Sequence, residues 1–231
     1  MGKIGILCAV ELEMLPYRRV LKKLSICTKA GLEFYMGVID NIEVVVLCSG
    51  VGKVNAANAT QLLIKYFKVN NIIVSGTAGA LDPRLCIGDT IISTDTIYYD
   101  VEMTHLITNY LRLPHDHILA DKKMLKICHY IVDNRKFSND VYFGKILTSD
   151  TYVNQDRKQL FNRDHAMCVD METASIAHVC SAFNIPFIAI RSVSDTGIDM
   201  TNQLSSFFRV SKNSFIIVKE LLQLIDNPIN I

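Results

Sequence analysis

Five times along this 231-residue chain an apolar run stops abruptly at small or acidic residues. Ile4–Cys8 leads to Glu11 and Glu13, and Ile42–Cys48 to Ser49-Gly50. Ile72–Val74 leads to Ser75-Gly76-Thr77, Val141–Thr148 to Ser149-Asp150, and Phe187–Val193 to Ser194-Asp195. Between the runs lie segments with helical spacing. In Ile176, Val179, Cys180 and Phe183, apolar residues recur at intervals of three and four. Pro186 then ends the helix and forces extended backbone. Phe187-Ile188-Ala189-Ile190 is continuously apolar, as a strand covered on both faces requires. Strands alternating with helices predict an α/β fold around a mixed, largely parallel central sheet. Parallel strands collect their carboxyl ends along one edge, where such sheets bind ligands. The five polar strand ends therefore mark one candidate site.

The predicted elements are strands at Ile4–Cys8, Leu32–Asp40, Ile42–Cys48, Ile72–Val74, Thr90–Ser93 and Val141–Thr148, besides the Phe187 strand. Helices are predicted after the Ala9–Glu13 segment to about Leu24, at Val54–Phe67 and Asp121–Asn134, up to Phe183, and at about Ser206–Leu224. Asp40-Asn41 reads as a hairpin turn. Tyr98–Pro114 reads as a long polar loop. No repeat, low-complexity tract or Pro/Gly/Ser linker divides the chain, so residues 1–231 are expected to form a single domain.

Composition excludes several classes of function. Half the residues are hydrophobic, 20% are charged and the net charge is +1. No basic face or aromatic-interleaved basic run points to nucleic acid. No apolar run reaches the ~18–20 residues of a membrane span, and no secretory signal precedes the first strand. Seven cysteines without a Cys-x-x-Cys pair read as reduced thiols of a cytoplasmic protein, not as a disulfide framework or zinc site. His115 and His117 lack the further ligands a metal needs.

Single motifs are weak here. Gly50-Val51-Gly52-Lys53 is not a phosphate loop: Leu47 stands where the first glycine belongs and Val54 where Ser or Thr belongs. Asn55 also breaks the dinucleotide pattern, so a tight strand-to-helix turn is the reading. Gly76-Thr77-Ala78-Gly79 permits close backbone approach to a ligand. Taken alone, Glu13 reads as a solvated helix residue and Met171 as core filler, whereas Ser194-Asp195, although of residue types that also cap turns and helices, stands at a strand end where ligands bind.

Taken together, these segments resemble the 5′-methylthioadenosine/S-adenosylhomocysteine nucleosidases of the nucleoside phosphorylase/hydrolase superfamily. The likeness rests on Lys3-Ile4-Gly5-Ile6 with Glu11-Leu12-Glu13, Ser49–Lys53, Gly76–Gly79, Ser149–Val153, and Val169–Glu172 followed by Ser194-Asp195. Asp170 stands where the family usually has Glu, and Thr77 where it usually has Ser.

The resemblance implies hydrolysis of an adenine N-glycosidic bond without metal or organic cofactor. Asp195 would protonate N7 of the leaving adenine, which requires a protonated carboxyl. Glu13, rather than the neighbouring Glu11, would activate water. Met171 and Glu172 would hold the ribose, Thr77 and Gly79 would line the nucleoside pocket, and Ser194 would adjoin the acid. Tyr152 would stack on the purine, and Val153 would meet the base through its backbone. Phe207 or Phe208 would supply the aromatic lid. Leu106 and Thr108 replace rim aromatics common in the family. The family also implies a homodimer with Tyr98–Pro114 near the partner. The rivals are a purine nucleoside phosphorylase, an aminofutalosine-type nucleosidase and a non-catalytic nucleoside binder. The first strand's loop, Ala9–Glu13, lacks the arginine that phosphorylases use for phosphate.

Overall fold

The computed structural model describes residues 2–101, 117–153, 165–197 and 203–225. The chain begins with β1 (Lys3–Cys8), α1 (Glu11–Val20), β2 (Lys22–Lys29), β3 (Leu32–Ile39) and β4 (Ile42–Cys48). Next come α2 (Lys53–Leu62) with a π-helical turn over Leu63–Phe67, β5 (Val69–Ala80), β6 (Thr90–Tyr98) and β7 (Ile118–Leu119). The remainder is α3 (Lys122–Asn134), β8 (Val141–Thr148), β9 (Ala166–Asp170), α4 (Thr173–Ala182), β10 (Phe187–Asp195) and α5 (Gln203–Ile225).

β5 is the hinge of the architecture. Its first half, Val69–Val74, pairs with β1 on one side, and Ile72–Gly79 pairs with β10 on the other, both parallel. Its last residues, Gly79 and Ala80, pair antiparallel with β9. From β9 the ladder runs through β8 and β6 back to β10, closing a five-stranded ring. β1, β4, β3 and β2 extend the sheet on the other side of β5. The alternation of side chains along each strand then divides the core in two. Ile4, Ile6, Val44, Val46, Ile73 and Ile188 face α1, α3 and α5, represented by Met14, Ile127 and Leu221. Leu7, Val45, Leu47, Ile72 and Val74 pack with Ala56 and Ala59 of α2 and Ile176 of α4. Each fully buried Leu or Ile contributes roughly 1.5–3 kcal/mol.

The single α/β domain and the Val141–Thr148 strand match the sequence reading. Asp121 caps α3 by accepting from Met124 N at 2.9 Å. Several boundaries differ. β5 runs Val69–Ala80 where Ile72–Val74 was expected, and β6 continues past Ser93 to Tyr98. α1 stops at Val20 rather than near Leu24, because Leu21 turns extended (ψ 121°) and leads directly into β2. β2 is a mostly exposed edge strand, so no buried face stamped an alternating pattern on it. β7, only two residues long, and β9 (Ala166–Asp170) were not among the expected strands. Pro16 lies inside α1 and has no N–H for the Leu12 carbonyl. Ser211 Oγ of α5 donates to that carbonyl instead, at 3.4 Å.

The β3–β4 turn holds both Asp40 (φ +47°) and Asn41 (φ +70°) in left-handed backbone, the geometry of a two-residue type I′ hairpin. Replacing Asn41 by Val puts a β-branched residue there. Stability should fall by about 1–2 kcal/mol, measured by urea unfolding.

Candidate active site

A buried arginine organises the carboxyl ends of the strands. Arg191 lies in the middle of β10 and is 1% exposed. Its Nη2 donates to Asp170 Oδ2 at 2.8 Å and to Glu172 Oε2 at 3.1 Å, and lies 3.3 Å from Thr173 Oγ1. Burial alone would lower the guanidinium pKa; the facing Asp170 and Glu172 carboxylates override it and hold the proton more firmly than usual. Arg191 Nη1 is the one buried side-chain nitrogen or oxygen among the described residues without a hydrogen-bond partner.

Asp170 ends β9 and is occupied inside the protein. It accepts from Thr148 Oγ1 at 2.7 Å, from Thr173 N at 3.1 Å, and from Thr173 Oγ1. Glu172 stands just before α4. Its Oε1 accepts from Gly52 N at 3.0 Å, across 120 residues of sequence. Burial pushes its pKa up to about 7, against the opposing pull of Arg191.

Glu13 is 3% exposed in the first turn of α1, whereas Glu11 is exposed and lies 3.7 Å from Arg18. Glu13 Oε2 accepts from Ala9 N at 2.9 Å and Val10 N at 3.2 Å, tying off two amides at the helix start. Its Oε1 accepts from both N and Oγ1 of Thr77, each at 2.8 Å. Thr77 thus contacts Glu13 directly.

Gly76 explains how Glu13 and Arg191 share a space. It pairs with Arg191 in the β5–β10 register. A Cβ there would sit 2.6 Å from Arg191 Nη1 and 2.7 Å from Glu13 Oε1. The glycine is required for this close approach.

Asp195 is the last residue of β10, beside Gly79. It is half-buried rather than enclosed. Its Oδ1 accepts from Gly197 N at 3.2 Å. Ser194 Oγ lies 3.2 Å from its Oδ2 and 3.3 Å from the Ala78 carbonyl. The strands therefore bring Glu13, Thr77, Gly79, Glu172, Ser194 and Asp195 to one region, with Met171 half-buried between Asp170 and Glu172. Tyr152 is 50% exposed just beyond β8, while Val153 packs against the small cluster of Leu81, Leu147, Ala166 and Val169. Phe208 has Arg19 and Lys212 over its ring, at 5.2 and 4.9 Å from its centroid. Phe207 and Phe208 are both half-buried. Leu106 and Thr108 lie outside the described residues.

Arg191, Asp170 as its anchor, and Gly52 were not singled out from sequence. For Arg191 a signal existed: a lone cation inside an otherwise apolar buried strand demands buried partners. Gly52 gave no such signal, because its role is played by a backbone amide.

Residues 3–223 match the family model described as the phosphorylase superfamily. The 5′-methylthioadenosine/S-adenosylhomocysteine nucleosidase of Staphylococcus carnosus (strain TM300) is 37% identical over 227 residues, 95% of this chain and 99% of that protein. The chain belongs to this nucleosidase family within the phosphorylase superfamily. Solved nucleosidases agree in fold. The Colwellia psychrerythraea 34H enzyme, in complex with adenine, has a TM-score of 0.87 at 28% identity, covering 96% of this chain and 94% of that one. The Neisseria meningitidis enzyme, in complex with methylthio-immucillin-A, has a TM-score of 0.87 at 26% identity, covering 96% and 99%.

In this nucleosidase, Gly76→Ala should separate Glu13 from Arg191. A misplacement on that scale lowers turnover by on the order of 10²-fold. Steady-state adenine release from 5′-methylthioadenosine, with folding checked by circular dichroism, measures it.

Proposed function

We infer that this protein hydrolyses the N-glycosidic bond of 5′-methylthioadenosine and S-adenosylhomocysteine, giving adenine and the thioribose product. The observation that carries the reading is that a buried carboxylate, Glu13, and the unpartnered Nη1 of Arg191 approach the same point over Gly76. An attacking water needs a base to take its proton and a donor to orient it. Glu13 is assigned as the base, and Arg191 as the donor that orients the water.

The reaction separates charge as the ribosyl group becomes oxocarbenium-like. Glu172 is assigned to that group. Each of its oxygens already accepts one protein hydrogen bond, and a carboxylate oxygen can accept another. Glu172 can thus take ribose hydroxyls while its charge offsets the developing cation. Asp195 is assigned as the acid for adenine N7, steadied by Ser194 and by the Gly197 amide. Thr77 and Gly79 line the pocket, Met171 lies against the ribose, Tyr152 stacks on the purine, the Val153 backbone meets the base, and Phe207 closes over it. No metal or organic cofactor has a part in these steps.

Electrostatics favour water over phosphate as the nucleophile. Glu13, Asp170 and Glu172 are buried around the single guanidinium of Arg191. A phosphate dianion would be repelled from such a site. Adenine release in phosphate-free buffer tests this directly: release supports the hydrolase, and dependence on phosphate would sink it. Nucleoside bound without turnover would also sink it.

The same reading makes residues 1–231 one nucleosidase domain acting in methionine salvage. Seven unpaired cysteines, four of them buried, support a reducing, cytoplasmic setting. Exposed Val51, Val54 and Tyr152 near the site support a homodimer. No helix among the described residues is long and apolar enough to cross a membrane.

Asp195→Asn cannot donate a carboxyl proton and should lower kcat by roughly 10²–10⁴-fold. Glu13→Gln should bind 5′-methylthioadenosine but lose hydrolysis to a similar degree; equilibrium binding and single-turnover assays separate the two effects. Glu172 sets a pH limb. Below about pH 7 it is protonated and its charge is lost. kcat/KM should therefore rise as pH increases through about 7, as a pH–rate profile will show.

A further inference from the structure

Glu172 Oε1 depends on one backbone donor, the Gly52 amide, at 3.0 Å. That amide belongs to a turn with little stiffness of its own. Gly50 (φ +83°) and Gly52 (φ +96°) both occupy backbone that glycine enters and leaves readily. Asn55 Nδ2 donates to the Val51 carbonyl at 2.8 Å and ties the turn to α2. The other anchors come from across the ring. Lys53 N donates to Asp150 Oδ1 at 3.0 Å. Lys53 Nζ pairs with Asp100 and lies 3.8 Å from Asp150 Oδ2. It also sits 5.4 Å from the centroid of the Tyr98 ring.

The two aspartates are themselves held. Asp100 Oδ2 accepts from Asp150 N at 2.9 Å and lies 3.5 Å from Ser149 Oγ. They follow the neighbouring parallel strands β6 and β8, whose Tyr98 and Thr148 are in register. The Lys53 side chain, at the first position of α2, is only 17% exposed, unusual for a lysine.

We propose that Lys53, gripped by Asp100 and Asp150, is a positioning residue that pins the Gly50–Gly52 turn and keeps the Gly52 N–H on the Glu172 carboxylate. Gly52 and Lys53 are consecutive, so the Gly52 amide cannot move far while the Lys53 amide and ammonium are both held. Lys53 acts through the turn and has no assigned contact with substrate. An ion pair serving only the surface would add little stability and would leave Glu172 unaffected.

The groups facing Glu172 give the proposal a sign. Arg191 from β10 and the Gly52 amide favour its ionised form, whereas burial, Asp170 from β9 and Glu13 from α1 oppose it. Loosening the turn removes one of the two favourable contacts. Glu172 should then ionise at higher pH.

The experiment compares Lys53→Met, Asp150→Ala and Lys53→Arg with the wild-type protein. Carbon-13 NMR of glutamate-labelled protein follows the Glu172 carboxyl through its titration, with the signal assigned by its loss in Glu172→Gln. Kinetics follow kcat/KM against pH. Lys53→Met and Asp150→Ala should move both the Glu172 midpoint and the acid limb to higher pH. They should lower kcat/KM at pH 7 by about tenfold, equivalent to about 1.4 kcal/mol. Lys53→Arg, which keeps the charge, should recover most of the wild-type behaviour. If midpoint and limb stay in place in both disruptive variants, the proposal is overturned, whatever happens to turnover or melting temperature. The kinetic arm rests on the hydrolase reading. The NMR arm does not, so a wild-type protein that released no adenine would defeat that reading alone.

Discussion

The cluster around Arg191 is the interaction on which the site depends. A guanidinium removed from water is stable only if it is paired and hydrogen-bonded. Asp170 and Glu172 supply the charge, and Thr173 supplies a further acceptor. These partners come from the end of β9 and the start of α4, so the cation joins two segments to β10. Removing one partner of such a buried pair destabilises by about 3–5 kcal/mol, because the remaining charge is stranded. Burial, which makes this pairing necessary, also pushes the Glu172 pKa up to about 7 against the pull of Arg191. Structural necessity and chemical tuning therefore both follow from exclusion of water.

The path of β5 turns this cluster into a site. Its parallel register with β10 places Gly76 beside Arg191 and Gly79 beside Asp195. Its exchange of partners from β1 to β9 closes the ring and brings Asp170 alongside. Thr77, between the two glycines, takes hold of Glu13 from α1. One strand thus aligns the segments bearing the proposed base, acid and ribose carboxylate. A glycine at position 76 is the steric condition that lets them approach.

Local chemistry made much of this legible in the sequence. Short apolar runs, each stopped by polar or small residues, marked the core strands and the edge where their ends gather. Pro186 marked the helix-to-strand change, and Asp40-Asn41 marked the hairpin. Asp195 stood out because a carboxylate at a strand end in an α/β sheet lies where ligands bind, whereas Glu13 and the ribose role of Glu172 came from the family resemblance. The ordered motifs, beyond any one of them, pointed to the family.

Tertiary structure decided what depends on partners distant in sequence. Whether Glu11 or Glu13 turns inward follows from helix phase and from Thr77, 64 residues away. The grip of Gly52 on Glu172 spans 120 residues and uses a backbone amide, which carries no side-chain signature. β2 escaped reading because an exposed edge strand has no buried face to impose a pattern. The sequence by itself determined the alternation of elements and the kinds of groups at their ends, since propensity and periodicity act over a few residues. Only the folded chain decided which carboxylates share Arg191, because that follows from strand order, register and exclusion of water.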